Sequence, residues 1–208
     1  VAESSTGESG LIEGFAPGSV AHTLMQLRGT WHDHVELFGL DGRPLKDDSA
    51  AGSGTPGKSP FDNLVYIDFD GEVMTQTNVC FRGREPSAKT FGGRVIDGIL
   101  VFDSLGPGAI ENVGVSGGPN ILFYNPRVMD ERWHTYLEPD FIMVTGPDRR
   151  MRTTVLYRNG EARRSLTAYG QRLSKDCLRR HEWDPRGPDG PVHEAPFQTS
   201  VWASHARK

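Results

Sequence analysis

The chain has two cysteines in 208 residues, no long apolar run and a net charge of only -4. Two cysteines, Cys80 and Cys177, permit at most one internal bridge, which excludes a disulfide-built scaffold. They read either as a bridge tying the C-terminal tail to the body or as two reduced, partly buried thiols. The longest apolar stretches, such as Gly98 to Phe102, are four or five residues, against the roughly 20 that a membrane-spanning helix needs. No membrane insertion is expected. A mild negative balance supplies no field that would gather phosphate backbones, so nucleic acid is not an expected partner. Residues 1 to 18 lack a basic region followed by an apolar run, and the first residue is Val1, which reads as a trimmed or engineered start; a cytoplasmic location is expected, with secretion left open.

What the chain does have is turn chemistry: 25 glycines and 14 prolines, with 36% hydrophobic and 24% charged residues. Residues 1–18 are rich in Gly, Ser and Glu and are expected to form a flexible arm. Ser19 then precedes Val20, Leu24 and Leu27, a four-and-three spacing that predicts a short helix ending at Gly29. From Thr30 onward the periodicity is two. Strands are predicted over 30–38, 63–69, 73–82, 90–96, 99–102, 110–115, 120–125, 133–138, 141–145, 152–158 and 161–173. Asp70-Gly71, Asp97-Gly98, Gly117-Gly118-Pro119, Gly146-Pro147-Asp148 and Asn159-Gly160 separate them. A long polar loop follows the first strand over 41–61, and 179–208 reads as an irregular, Pro-rich tail.

Hairpin after hairpin with no long crossover favours one closed sheet, because sequence neighbours can pair and closure removes the edges. The expected fold is all-β: a single antiparallel up-and-down barrel of about ten strands over 19–178, with a short N-terminal helix. Its interior would suit one small molecule.

A short helix running into Gly29-Thr30-Trp31 at the head of the first strand, followed by an antiparallel meander, resembles the lipocalin-like branch of the calycin superfamily. The resemblance implies that Trp31 packs across the closed end under an arginine from a late strand, for which Arg163, Arg164 and Arg172 compete. Some similar barrels bind lipids, pigments or haem, and others act as cofactor-free cyclases or isomerases. The long loop after the first strand and the absence of the later lipocalin motifs set this chain apart from the secreted members.

Several constellations carry possible chemistry. His32-x-His34-x-Glu36 puts three potential ligands on one strand face, about 7 Å apart, with His134 as a third imidazole for a metal. The alternative is that Trp31, Val35 and Leu37 turn inward, which sends both histidines to solvent. Gln76, Asn78 and Cys80 share a face and can orient a ligand by hydrogen bonds. Tyr124, Tyr136, Tyr157 and Tyr169 fall in four different strands, with His134 on the face of Tyr136, a set able to donate and accept protons. Arg152 and Arg158 share a face that can receive a carboxylate, whereas Glu138 and Asp140, near a turn, lack the shared burial of an acid and base pair. Gly114 to Gly118 lacks the spacing of a nucleophile elbow, and no phosphate loop is present.

The expected ligand is therefore a small, largely apolar organic metabolite, bound without a cofactor. The leading function is a cofactor-independent cyclase or isomerase of specialised metabolism. His134, Tyr136 and Tyr157 would move protons, and Trp31, Gln76, Asn78, Tyr124, Arg152 and Tyr169 would line the ligand. A carrier without chemistry is the alternative, and a metal-dependent enzyme using His32, His34 and His134 comes third. Oligomeric state is left open.

Overall fold

The computed structural model describes residues 14–46, 59–82, 86–103, 111–126 and 137–177. These form helix α1 (Val20–Leu27) and strands β1 (Gly29–Phe38), β2 (Phe61–Phe69), β3 (Val73–Cys80), β4 (Ser87–Ile96), β5 (Ile99–Phe102), β6 (Asn112–Gly118), β7 (Ile121–Pro126), β8 (Asp140–Gly146), β9 (Arg149–Arg158) and β10 (Glu161–Ser174). Each strand pairs antiparallel with its sequence neighbours, and β1 also pairs with β10. The ring thus closes as β1-β10-β9-β8-β7-β6-β5-β4-β3-β2. The expected all-β barrel is what the chain forms.

The turns explain the meander. Asp97-Gly98 and Asn159-Gly160 each put two successive residues at positive φ (50° and 79°, 53° and 76°), the geometry whose twist matches a two-residue hairpin. At the β2–β3 turn the Asp70 carboxylate instead accepts the backbone N–H groups of Glu72 and Val73, at 2.9 and 2.8 Å. The predicted strand over 133–138 lies outside the described residues but for its end, where Leu137 makes an isolated bridge to Tyr157.

The helix starts on Ser19, whose hydroxyl accepts the His22 N–H at 3.1 Å, satisfying one of the donors that a helix start leaves open. Its apolar residues Val20, Leu24 and Leu27 are at most 2% exposed. Contacts with β2 and with β6, β7 and β8 span opposite walls of the ring, so the helix lies across one end. Gly29 then turns the chain into β1 at φ 125°, where a side chain would collide with the Ser174 carbonyl of β10. That is why glycine opens this motif.

Trp31 is fully buried, and its indole N–H donates to the Leu27 carbonyl at 2.7 Å. Two guanidiniums lie over its ring, Arg172 at 4.2 Å and Arg150 at 4.7 Å. Of the three candidates for the late-strand arginine, Arg172 takes the place, while Arg163 pairs with Glu161 at 2.8 Å. Arg172 also donates to the Gln26 carbonyl at 2.5 Å and to the Arg28 carbonyl. A cation on the open carbonyls of a helix C-terminus is favourable there. Burial lowers the Arg172 pKa, and the neighbouring Asp148 opposes that change.

Two apolar clusters follow. One, under the helix, joins Trp31 to Val65, Ile67, Phe69, Met74, Leu100, Leu122, Ile142 and Val144. The other holds Val35, Leu37, Phe61, Leu166 and Ala168 of β1, β2 and β10. Cys80 and Cys177 are not disulfide-bonded and are partly buried, so no bridge joins them. Among the described residues no helix is long and apolar enough to cross a membrane.

Candidate functional site

Burial and strand register fix which side chains turn inward. Beyond the first two residues of β1 the buried ones are Trp31, Asp33, Val35 and Leu37, and the first three face Val65, Asn63 and Phe61 on β2. The pairing carries inward to Met74, Gln76, Asn78 and Cys80 on β3 and to Lys89, Phe91 and Gly93 on β4. Leu100 and Phe102 on β5, Leu122 and Tyr124 on β7 and Asp140 and Ile142 on β8 complete that side. Arg150, Arg152, Thr154 and Leu156 follow on β9.

A polar belt thus separates the two apolar clusters. Asp33, 3% exposed, accepts two hydrogen bonds from Arg150, from Nε at 3.1 Å and from Nη2 at 2.8 Å. Arg152 Nε donates to Asp140 Oδ1 at 2.7 Å. Burial raises the Asp140 pKa, and Arg152 draws it partly back. Burial works against the Arg152 cation, but the charges of Asp140 and Glu138 outweigh it and hold its pKa above the ordinary value. The Tyr124 phenol is pushed well above its usual range by burial, with the Asp140 charge adding to the effect. Its ring meets Phe102 edge-on at 5.0 Å. On β3, Gln76 Nε2 donates to Asn78 Oδ1 at 2.9 Å. Cys80 completes that inner stripe, its thiol pKa raised by burial.

Of the expected ligand-lining residues, Trp31, Gln76, Asn78, Tyr124 and Arg152 all lie on the inner face. Tyr169 does not. It is 58% exposed on the outer face of β10, between the inward Ala168 and Gly170. Tyr157 is likewise on the outward parity of β9, next to the buried Leu156. The physical reason is common to both: a period of two gives each strand two faces, and the smaller or apolar neighbour took the interior. His134 and Tyr136 lie outside the described residues.

His32 and His34 also turn outward, because Trp31, Val35 and Leu37 take the core. There they share one acceptor, Asp62 Oδ1, at 3.1 and 3.0 Å. They do not reach the lumen, and among the described residues no group of three or more His, Cys, Asp or Glu is placed to hold a metal ion. Asp33, Asn63, Asp140 and Arg150 are inner-face residues that sequence reasoning passed over. Asp33 carried a signal, since it shares the alternation of Trp31. Asp140 belongs to a buried site with Arg152, contrary to the reading of Glu138 and Asp140 as mere turn carboxyls.

No family model matches the chain, and no curated protein matches it. Several solved structures do. A protein of unknown function from the DUF3598 family of Nostoc punctiforme aligns with a TM-score of 0.54 at 16% identity, over 72% of this chain and 49% of that one. The S-type phycobiliprotein lyase CpeS of Guillardia theta aligns with a TM-score of 0.52 at 10% identity, over 74% of this chain and 92% of that one. The likeness is one of fold. This chain spans about half the length of the DUF3598 protein.

Proposed function

We propose that this lipocalin-like barrel holds a small, largely apolar organic molecule in its lumen, as a binding or transfer protein. The observation that carries the reading is partial exposure in the wrong place for a filled core. Gln76, Asn78, Phe91, Phe102 and Tyr124 stand on the inner wall of a closed ring, yet each keeps part of its surface open. Inner positions packed against other side chains, such as Val65 at 2% and Leu122 at 0%, are sealed. Aromatic area with a few hydrogen-bonding groups is the usual composition of a ligand site. The fold shared with a phycobiliprotein lyase supports a ligand of bilin type.

A second reading, a cofactor-independent cyclase or isomerase, is favoured by Tyr124 beside Asp140. Burial raises the Asp140 pKa, which moves that carboxyl toward the range a general acid needs, and the Tyr124 phenol beside it can orient a ligand as a neutral donor. His134 and Tyr136 belong to this reading as its further proton carriers.

The test is saturable binding of biliverdin or of the neutral dye N-phenyl-1-naphthylamine to purified protein, against Asn78→Trp, which fills the hollow from its own wall. One-to-one binding by the parent and none by the variant is expected. Equal binding by both places the ligand elsewhere and ends the proposal. Catalysis is separated by Tyr124→Phe, which should keep binding and lose turnover of any ligand the parent converts.

A further inference from the structure

Two inner-face arginines stand two residues apart on β9 and are used differently. Arg150 is committed to a counter-charge: two of its nitrogens hold both oxygens of Asp33, it lies over Trp31, and its side chain is 6% exposed. Arg152 commits only Nε, to Asp140. Among the described residues no hydrogen bond holds its Nη1 or Nη2, and 20% of the side chain is open. A guanidinium edge with two parallel N–H donors and no acceptor is the complement of a carboxylate.

A second group asks for the other end of a ligand. Asn63, 8% exposed, has an Oδ1 shut off from solvent with no hydrogen-bond partner. Buried polar atoms in native structures are normally paired, so an unpaired one calls for an explanation. Asn63 sits on the inner face between Asp33 of β1 and Cys80 of β3, three strands round the ring from Arg152. The charge of the described inner face fits the same partner. Lys89, Arg150, Arg152 and Arg164 stand against Asp33 and Asp140 there, while the chain as a whole carries -4.

We propose that the ligand is an organic carboxylate, its acid group received by the open edge of Arg152, with Asn63 placed to accept from an N–H or O–H where the far end carries one. A phosphate is disfavoured, because Asp140 and Glu138 already act on Arg152 and would repel a dianion more than a monoanion. The proposal rests on the lumen being a ligand site, and it names the chemistry that site selects.

The test compares acids with neutral analogues of the same shape on the full chain: biliverdin against its dimethyl ester, and hexadecanoate against hexadecanol. The acid of at least one pair should bind about tenfold tighter or more than its neutral partner. That preference should vanish in Arg152→Gln combined with Asp140→Asn, a pair chosen so that no uncompensated charge stays buried. Asn63→Leu should weaken biliverdin, which carries N–H donors, and leave hexadecanoate unchanged. Which acid binds distinguishes a tetrapyrrole from a fatty acid. Equal binding of acid and neutral analogue in the parent, or a preference that survives the double substitution, overturns the carboxylate assignment while leaving the lumen a ligand site. Binding of none of the four compounds overturns the ligand site itself.

Discussion

Asp33→Asn removes the charge from one half of a buried ion pair while keeping the side chain's volume, so its effect reads electrostatics rather than packing. The side chains of Asp33 and Arg150 are 4% and 6% exposed and are joined by two hydrogen bonds of 3.1 and 2.8 Å. With the carboxylate gone, the guanidinium stays buried over Trp31 and has no counter-charge of its own. Breaking such a pair from one side costs about 3–5 kcal/mol. The asparagine oxygen can still accept one bond, which puts the expected loss near the lower figure. Against a domain stability of about 5–15 kcal/mol, that shifts a urea midpoint well outside error. Urea unfolding followed by far-UV circular dichroism measures it, with an unchanged slope as the check that only stability moved. Asp33→Asn combined with Arg150→Met should recover most of the loss, because the orphaned charge is then gone too. A single variant within about 0.5 kcal/mol of the parent, a value typical of surface substitutions, would refute the reasoning.

Other outcomes follow from the same geometry. Gly170→Ala should destabilise by about 1–3 kcal/mol in the same assay, since its Cβ would lie 2.5 Å from Asp33 Oδ1 and 2.6 Å from Arg150 Cγ. Arg172→Gln should loosen the end of α1, read as faster amide hydrogen exchange in the helix, because it withdraws the donors on the Gln26 and Arg28 carbonyls. Asp140 is pushed up by burial, so it binds its proton more tightly folded than unfolded. Its contribution is complete below the ordinary carboxylate range and lost as pH rises through the folded value. The stability of the parent relative to Asp140→Asn should therefore fall as pH rises above the ordinary carboxylate range, about pH 4, and a constant or rising difference would contradict the burial argument.

Much of the fold was legible because hairpin chemistry is local. Asp97-Gly98 and Asn159-Gly160 announce their own backbone angles, and the two-residue period between such turns leaves few alternatives to an antiparallel meander. Ser19 and the spacing of Val20, Leu24 and Leu27 likewise set the helix. The inner stripe Gln76, Asn78, Cys80 could be read as a face, and Arg152 and Tyr124 as candidates for the interior. The errors share one cause. Tyr169 and Tyr157 were judged as residue types, whereas their orientation was set by neighbours in sequence and by partners across the sheet.

Parity along a strand, turn geometry and strand order are thus properties that the chain carries residue by residue, and they were sufficient for a barrel with a capping helix. Which of two inner arginines is held edge-on by a carboxylate was not among them. Arg150 meets Asp33 across 117 residues, and Arg152 meets Asp140 across 12. Only closure of β1 onto β10 brings the first pair together, whereas the second spans neighbouring strands, with Asp140 opposite Thr154 and Arg152 opposite Ile142. Periodicity fixes faces because it depends on adjacent residues. Charge pairing in the lumen depends on strands distant in sequence, and those meet only in the closed ring.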